Sequence, residues 1–249
     1  MKDLKDKVAV VTGGAGGIGL ALARAFASEG MRIVIADVEE KALDEAVNTL
    51  QQVSSDTIGV VTDVSDVESV ERLAEQVYNR HGSCHVLCNN AGVGAPSSKV
   101  WATTPNDWRW VFGVNLSGVV NGILAFVPRM LAGGEPGHIV NTSSTDGPIS
   151  PLPTASVYAA SKAAVSTVTE CLASQLEEEN SSLRASIFYP TGGLLRTGLW
   201  TADRNRPAQL ARERPRETEP MTPERLEDIA RTAGRELQWQ SLDELAALV

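Results

Sequence analysis

The chain has 249 residues, 43% of them hydrophobic and 21% charged, an ordinary globular composition with enough length to bury one substantial core. A formal net charge of -9 argues against a general nucleic-acid role. No apolar run is read as long enough to span a membrane, and the opening Met1-Lys2-Asp3-Leu4-Lys5-Asp6-Lys7 leads into a short strand rather than a signal-peptide core, so a cytoplasmic protein with neither membrane nor nucleic-acid partners is expected.

Short β-branched runs alternate with longer helical patterns. Lys7 to Thr12 reads as a strand and Ile18 to Glu29 as a helix. Arg32 to Asp37 is a second strand, followed by a helix through Gln51; Ile58 to Thr62 is a third, followed by a helix from Asp66 to His81. His85 to Asn89 is a fourth strand, and a long helix from Asn106 to Leu131 follows it. His138 to Thr142 is a fifth strand, a helix containing Tyr158 runs to Glu179, and Arg184 to Tyr189 is a sixth strand. This βαβα order predicts a parallel sheet with helices on both faces, because parallel neighbours need crossover connections. The segment from Thr191 to Pro223 is rich in Pro, Arg, Glu and Thr, weakly periodic, and long enough to be a functional lid or disordered. Glu224 to Val249 reads as two short helices.

Three cysteines, Cys84, Cys88 and Cys171, do not suggest a disulfide framework. His81, Cys84, His85 and Cys88 resemble a metal-ligand set, but residues four apart on a strand lie ~13 Å apart, too far to share one zinc ion. Small buried thiols are the simpler reading, and no metal is expected.

The first strand runs into Thr12-Gly13-Gly14-Ala15-Gly16-Gly17-Ile18-Gly19 and then a helix, the context in which a glycine motif cradles a pyrophosphate on free N–H groups. Two registers fit: Gly14-x-Gly16-x-x-Gly19 and Gly13-x-x-x-Gly17-x-Gly19. The alternative is a Gly-rich turn without a ligand. Asp37 ends the second strand, 18 positions after Gly19, where an acidic residue would bond the adenosine ribose and repel a 2′-phosphate. Val38 and Glu39 follow it, with no basic residue, and Ala15 stands where a phosphate-pairing base would be, so NAD is expected over NADP. Asp37 could instead cap the helix beginning near Glu39.

Tyr158 and Lys162 lie four apart in a stretch free of Gly and Pro, so a helix places them on one face. A tyrosine hydroxyl titrates near pH ~10. A neighbouring ammonium is expected to favour the phenolate and lower that pKa, giving a proton-transfer pair.

These motifs, in this order, resemble the short-chain dehydrogenase/reductase family over residues 5 to 200. The resemblance rests on TGGAGGIG at 12–19, Asp63-Val64, Asn89-Asn90-Ala91-Gly92, Asn115 in Val114-Asn115-Leu116-Ser117-Gly118, Ser143-Ser144, and YAASK at 158–162. It implies a Rossmann-like doubly wound sheet of six to seven strands, forming one oxidoreductase domain over 1–249 with a substrate lid at about 191–223. It implies that Tyr158 is the general acid/base, that Lys162 lowers its pKa and bonds the nicotinamide ribose, that Ser144 holds the substrate oxygen, and that Asn115 holds a relay water. It further implies that Gly13, Ala15, Gly17, Ile18, Gly19, Asp37, Asp63, Val64, Asn90, Ala91, Gly92, Tyr158, Lys162 and Pro190 bind the cofactor. Alone, each has a plainer reading: Asn115 as a residue at a helix kink, Ser144 as one hydroxyl of a polar turn, Lys162 as a solvated lysine.

The chain departs from the family pattern in three places. Ser144 lies 14 positions before Tyr158, one more than usual, which leaves Ser143 and Thr145 as competitors for the substrate contact. Pro190-Thr191-Gly192-Gly193 replaces the usual Pro-Gly, with Thr197 as the candidate carboxamide contact. No seventh strand is legible: either the sheet ends at six, leaving an edge free to pair, or the sequence stops short of it.

Val93, Ala95, Leu152, Leu194, Leu195 and Trp200 are expected near a pocket suited to a hydrophobic ketone or secondary alcohol. Arg196, Arg204, Arg206, Arg212, Arg214 and Arg216 crowd the lid segment, either as a solvated surface or as a handle for a carboxylate or coenzyme A ester. The resemblance implies a homodimer or homotetramer. A silent dinucleotide-binding sensor and a lyase or epimerase using transient oxidation are the other functional classes.

Overall fold

The computed structural model describes residues 3–95, 97–191, 193–214 and 221–247. Six parallel strands form one sheet in the order β3-β2-β1-β4-β5-β6: β1 Val8–Thr12, β2 Arg32–Asp37, β3 Thr57–Val61, β4 Val86–Asn89, β5 Gly137–Thr142 and β6 Leu183–Phe188. The order reverses between β1 and β4, so a crevice opens beyond their C-terminal ends, where such sheets bind ligands. The expected α/β doubly wound fold is therefore present, with six strands.

Helices α1 Gly17–Ser28, α2 Glu40–Leu50, α3 Val67–His81, α4 Pro105–Phe112, α5 Gly118–Gly133 and α6 Ser156–Glu178 cover the two faces. On one side α1 and α2 bury Leu22, Phe26 and Leu43 against Ile33 and Ile35; on the other, α3, α5 and α6 bury Leu73, Phe126 and Leu172 against Val10 and Ile139. Each such side chain taken fully out of water contributes roughly 1.5–3 kcal/mol. The chain starts α3 with Asp66, whose carboxylate accepts the Glu68 N–H, and starts α4 with a Thr104/Asp107 capping box followed by Pro105.

One expectation needs correction, and two gain detail. The helix expected from Asn106 to Leu131 is continuous but contains a π-helical turn, Gly113–Ser117. The continuous helical stretch Pro105–Gly133 is long and apolar enough to cross a membrane, contrary to the reading of the sequence; here half of that apolar window is buried, with Trp110, Val119, Phe126 and Met130 in the core. The region after β6 contains 3₁₀ turns at Gly198–Asn205 and Ala208–Leu210, and the two short helices expected beyond it are present as α7 Pro223–Thr232 and α8 Leu242–Ala246.

Among the described residues there is no seventh strand. Leu194 and Trp239 form an isolated parallel bridge, supported by the Gln240 N–H donating to Leu194 O at 2.9 Å. Beyond it α8 packs on α1, with Leu245 buried and Arg24 paired to Asp243 at 2.8 Å. Cys84 and Cys88 are buried and free, and burial raises both thiols, Cys88 to about 12. No group of three or more potential metal ligands occurs among the described residues.

Candidate active site

A cleft of about 740 Å³ lies beyond the C-terminal ends of the strands. Every residue assigned above to catalysis or to cofactor lines it except Gly19 and Asn115.

The glycine loop forms its floor. Gly13 has φ +65°, and a Cβ there would lie 2.8 Å from Ala91 Cα, so only glycine fits this turn. Gly19 does not face the cleft: a Cβ on it would lie 2.1 Å from Gly13 O, so its role is to let α1 approach β1 closely. Gly16, the N-cap of α1, has nothing within 4 Å of where a Cβ would sit, and no side chain caps the helix. An uncapped helix N-terminus faces an open cradle that a Cβ would invade, an arrangement that fits a pyrophosphate. The Thr12 hydroxyl donates to Cys88 O and accepts from the backbone N–H groups of Asn90 and Ala91, which ties the loop after β4 to the loop after β1.

Asp37 sits at the rim. Its carboxylate accepts N–H groups from Ala15 and from Glu39, each at 3.1 Å, and burial is the largest influence on its pKa, raising it. The same carboxylate faces the cleft but does not cap α2, whose N-cap is Glu39 without a side-chain cap hydrogen bond. Asp63 and Val64 line the adjoining wall; Asp63 accepts from the Ser65 hydroxyl at 2.7 Å. Thr197 lies against the glycine loop, its Cβ 3.3 Å from where a Gly17 Cβ would be.

Tyr158 and Lys162 share one face of α6, as their spacing predicts, with the Lys162 Nζ 5.8 Å from the centre of the Tyr158 ring. Lys162 is buried and donates to Thr142 O at 2.8 Å, and burial lowers its pKa to about 8. The expected lowering of the Tyr158 pKa does not occur in this arrangement. Burial raises it most, a hydrogen bond with Ser144 pulls it back, and the negative Asp146 adds to the rise.

The three hydroxyl residues after β5 have different partners. Ser144 lines the cleft with Tyr158, where its hydroxyl lowers the phenol's pKa, and accepts the Asp146 N–H at 3.1 Å. Ser143 also lines the cleft but is buried, its hydroxyl donating to Lys162 O at 2.8 Å and bonded to the Ser166 hydroxyl at 2.8 Å. Thr145 uses its carbonyl to accept the Gly147 and Ser150 N–H groups. Asn115, in the π turn, is fully buried; its carboxamide accepts from Val93 N at 2.8 Å and donates to Val93 O and Ser161 Oγ. A Cβ on Gly92 would lie 3.4 Å from both the Asn115 oxygen and Lys162 Nζ, so both polar groups approach that glycine.

Of the pocket residues expected, Val93, Leu194, Leu195 and Trp200 line the cleft; Ala95 packs into a small cluster with Trp110, and Leu152 is exposed. The arginines are the largest departure. Arg196 pairs with Glu224 and Glu227 and stacks on Trp239. Arg204 pairs with Glu39. Arg206 is buried against Asp107 at 2.7 Å and over Trp110, and Arg212 bridges Asp203 and Asp107. All four are engaged with carboxylates, so none is a free anion handle, while Arg196 and Arg204 remain exposed as a solvated surface would be; Arg216 lies outside the described residues. Sequence reading also missed Asp146, which lines the cleft and receives the Leu152 N–H at 2.8 Å. It lies only two residues from Ser144, but one sequence does not say which way a turn residue faces.

Comparison with known proteins agrees with this geometry. The family model described as short chain dehydrogenase matches residues 7–207. The C alpha-dehydrogenase of Sphingobium sp. (strain NBRC 103272 / SYK-6) is 39% identical over 210 residues, 84% of this chain and 67% of that protein. A short chain dehydrogenase/reductase from Burkholderia phymatum, in complex with NAD, is 40% identical with a TM-score of 0.86, covering 100% of this chain and 85% of that one. A metagenomic short-chain oxidoreductase in complex with NADP is 31% identical with a TM-score of 0.71, covering 77% of this chain and 85% of that one. These likenesses make it an oxidoreductase that acts on CH–OH groups with a nicotinamide dinucleotide, and they place the chain in the short-chain dehydrogenase/reductase family.

Proposed function

We propose that the protein interconverts a hydrophobic secondary alcohol and its ketone, with Tyr158 exchanging the proton at the substrate oxygen, and that it uses NAD in preference to NADP. The observation that carries this reading is that Ser144 and Tyr158 line the same cleft wall, with Lys162 buried and its Nζ 5.8 Å from the centre of the Tyr158 ring. The cofactor supplies the hydride acceptor for oxidation and the hydride donor for reduction.

The chain supplies positioning and proton transfer. Two hydroxyls converging on one point can hold a substrate oxygen and stabilise the charge that develops on it. The raised pKa keeps Tyr158 protonated at neutral pH, the form that gives a proton to an alkoxide during ketone reduction. Lys162, anchored on Thr142, fixes a cation beside the Tyr158 ring, and Asn115 is the polar residue behind it against which a relay water would sit. Leu194, Leu195, Leu199 and Trp200 give the substrate end an apolar lining, and the segment carrying them serves as a lid. The half-buried Asp146 carboxylate on the same wall, and the pairing of the nearby arginines, weigh against an anionic substrate. The carboxylates of Asp37 and Glu39 at the adenosine rim favour NAD.

The test is a panel of neutral secondary alcohols and ketones, with matched carboxylates, followed through NADH absorbance. Turnover of neutral apolar members with NAD is expected. Turnover confined to carboxylates or acyl-coenzyme A esters would overturn the substrate class, and binding of NAD without turnover of any member would leave a sensor.

A further inference from the structure

One ion pair crosses the cleft mouth. Arg204, in the 3₁₀ turn Gly198–Asn205, donates through Nε to Glu39 Oε2 at 3.1 Å, and its Nη2 reaches Glu39 Oε1. Asn205 Nδ2 adds a bond to Glu39 Oε1 at 2.9 Å. The remaining guanidinium nitrogen, Nη1, is held by Gly198 O, Thr201 O and Thr201 Oγ1, all at 3.0 Å. Arg204, Asn205, Asp37 and Glu39 all line the same cleft. The Arg204 and Glu39 side chains are 43% and 31% exposed, so the pair adds little to stability as a surface salt bridge. Its consequence is the placement of charge. Asp37 and Glu39 bring two carboxylates to the cleft, and the Arg204 guanidinium is turned wholly onto Glu39 and onto its own turn.

We propose that Glu39 and Arg204 form a second determinant of dinucleotide choice beside Asp37: Glu39 occupies the guanidinium that would otherwise bind a 2′-phosphate. The inference rests on the dinucleotide-binding reading of the cleft. A phosphomonoester carries a charge of about −1.5 to −2 at neutral pH and is matched by the planar fork of an arginine. With Glu39 in place, that phosphate meets two carboxylates and an arginine already in use. With Glu39 neutral, Arg204 is released within the same cleft, and one of the two repelling charges is gone.

Titration calorimetry of NAD⁺ and NADP⁺ on the wild type, Glu39→Gln, Arg204→Ala and Glu39→Gln/Arg204→Ala proteins tests this without turnover. Thermal melts of the variants check that each is folded. Relative to NAD⁺, NADP⁺ is expected to bind at least about tenfold tighter to Glu39→Gln than to the wild type, the scale of one charge-assisted contact. The double variant is expected to lose most of that gain, and raised salt to shrink it. An unchanged ratio in Glu39→Gln would overturn the proposal. So would a gain that persists without Arg204, because it would then be only the removal of a negative charge. A wild type that binds NADP⁺ more tightly than NAD⁺ would instead refute the NAD preference, whereas the change of ratio among the variants judges the pair.

Discussion

The ammonium of Lys162 lies 5.8 Å from the centre of the Tyr158 ring, and it is anchored by the Thr142 carbonyl, 2.8 Å away, rather than by the phenol. The lysine therefore sits apart from the phenol, and the side chain that pulls the phenol's pKa down is Ser144. Removing the Tyr158 hydroxyl should leave both side chains in place. Tyr158→Phe is predicted to bind NAD like the wild type and to lose about 10²–10⁴ in kcat, the usual share of a positioned acid/base. Calorimetry and steady-state rates on the same preparation check both halves.

The two adjacent serines should separate cleanly. Ser144→Ala is predicted to lower kcat/KM about 10–10³-fold, as for loss of one donor to a developing oxyanion, with the melting temperature unchanged. Ser143→Ala removes a buried hydroxyl bonded to Lys162 O and Ser166, so about 1 kcal/mol of stability should go, with the smaller effect on turnover. Chemical denaturation paired with kinetics distinguishes the two, and a reversed pattern would move the substrate contact to Ser143.

Burial sets Lys162 at about 8, against about 10.4 for an exposed lysine. Between those values the unfolded chain holds a proton that the folded chain has released, so stability from this group rises with pH across the window; below it the cost of the buried charge is fully present. Relative to Lys162→Met, the unliganded wild type should gain about 2 kcal/mol in urea denaturation between about pH 7.5 and 9.5. A flat difference would mean that Lys162 does not titrate in this range.

Gly16 and Gly19 both belong to the loop, yet alanine should act differently at each. Gly19→Ala places a Cβ 2.1 Å from Gly13 O and should cost several kcal/mol, as backbone overpacking does. Gly16→Ala meets nothing in the fold, so it should melt like the wild type while its methyl intrudes on the cleft and weakens NAD binding. Thermal melts with and without NAD separate the two cases.

Much of this was legible because local signals agreed with the global fold. Arg32 to Asp37 reads as a strand and is one, and the Tyr158 and Lys162 spacing places both on one helix face because α6 has no Gly or Pro to break it. What escaped depends on distance along the chain or on a choice between similar geometries. The π turn at Gly113–Ser117 continues the apolar pattern of the helices around it, so periodicity does not mark it. Arg204 was visible as one of a crowd, but its partner Glu39 lies 165 positions away and no spacing rule connects them. The sign of the Tyr158 shift was missed because proximity to a lysine was weighed without the burial of the phenol, which outweighs it.

The central claim is hydride transfer to a carbonyl carbon with Tyr158 supplying the proton. Its most direct test is reduction of a panel of apolar ketones with NADH carrying deuterium at both C4 positions, the products read by mass spectrometry. The wild type is predicted to give a secondary alcohol one mass unit heavier, and Tyr158→Phe almost none. Failure to obtain a deuterated alcohol from any ketone, or equal yields from the two proteins, would contradict it.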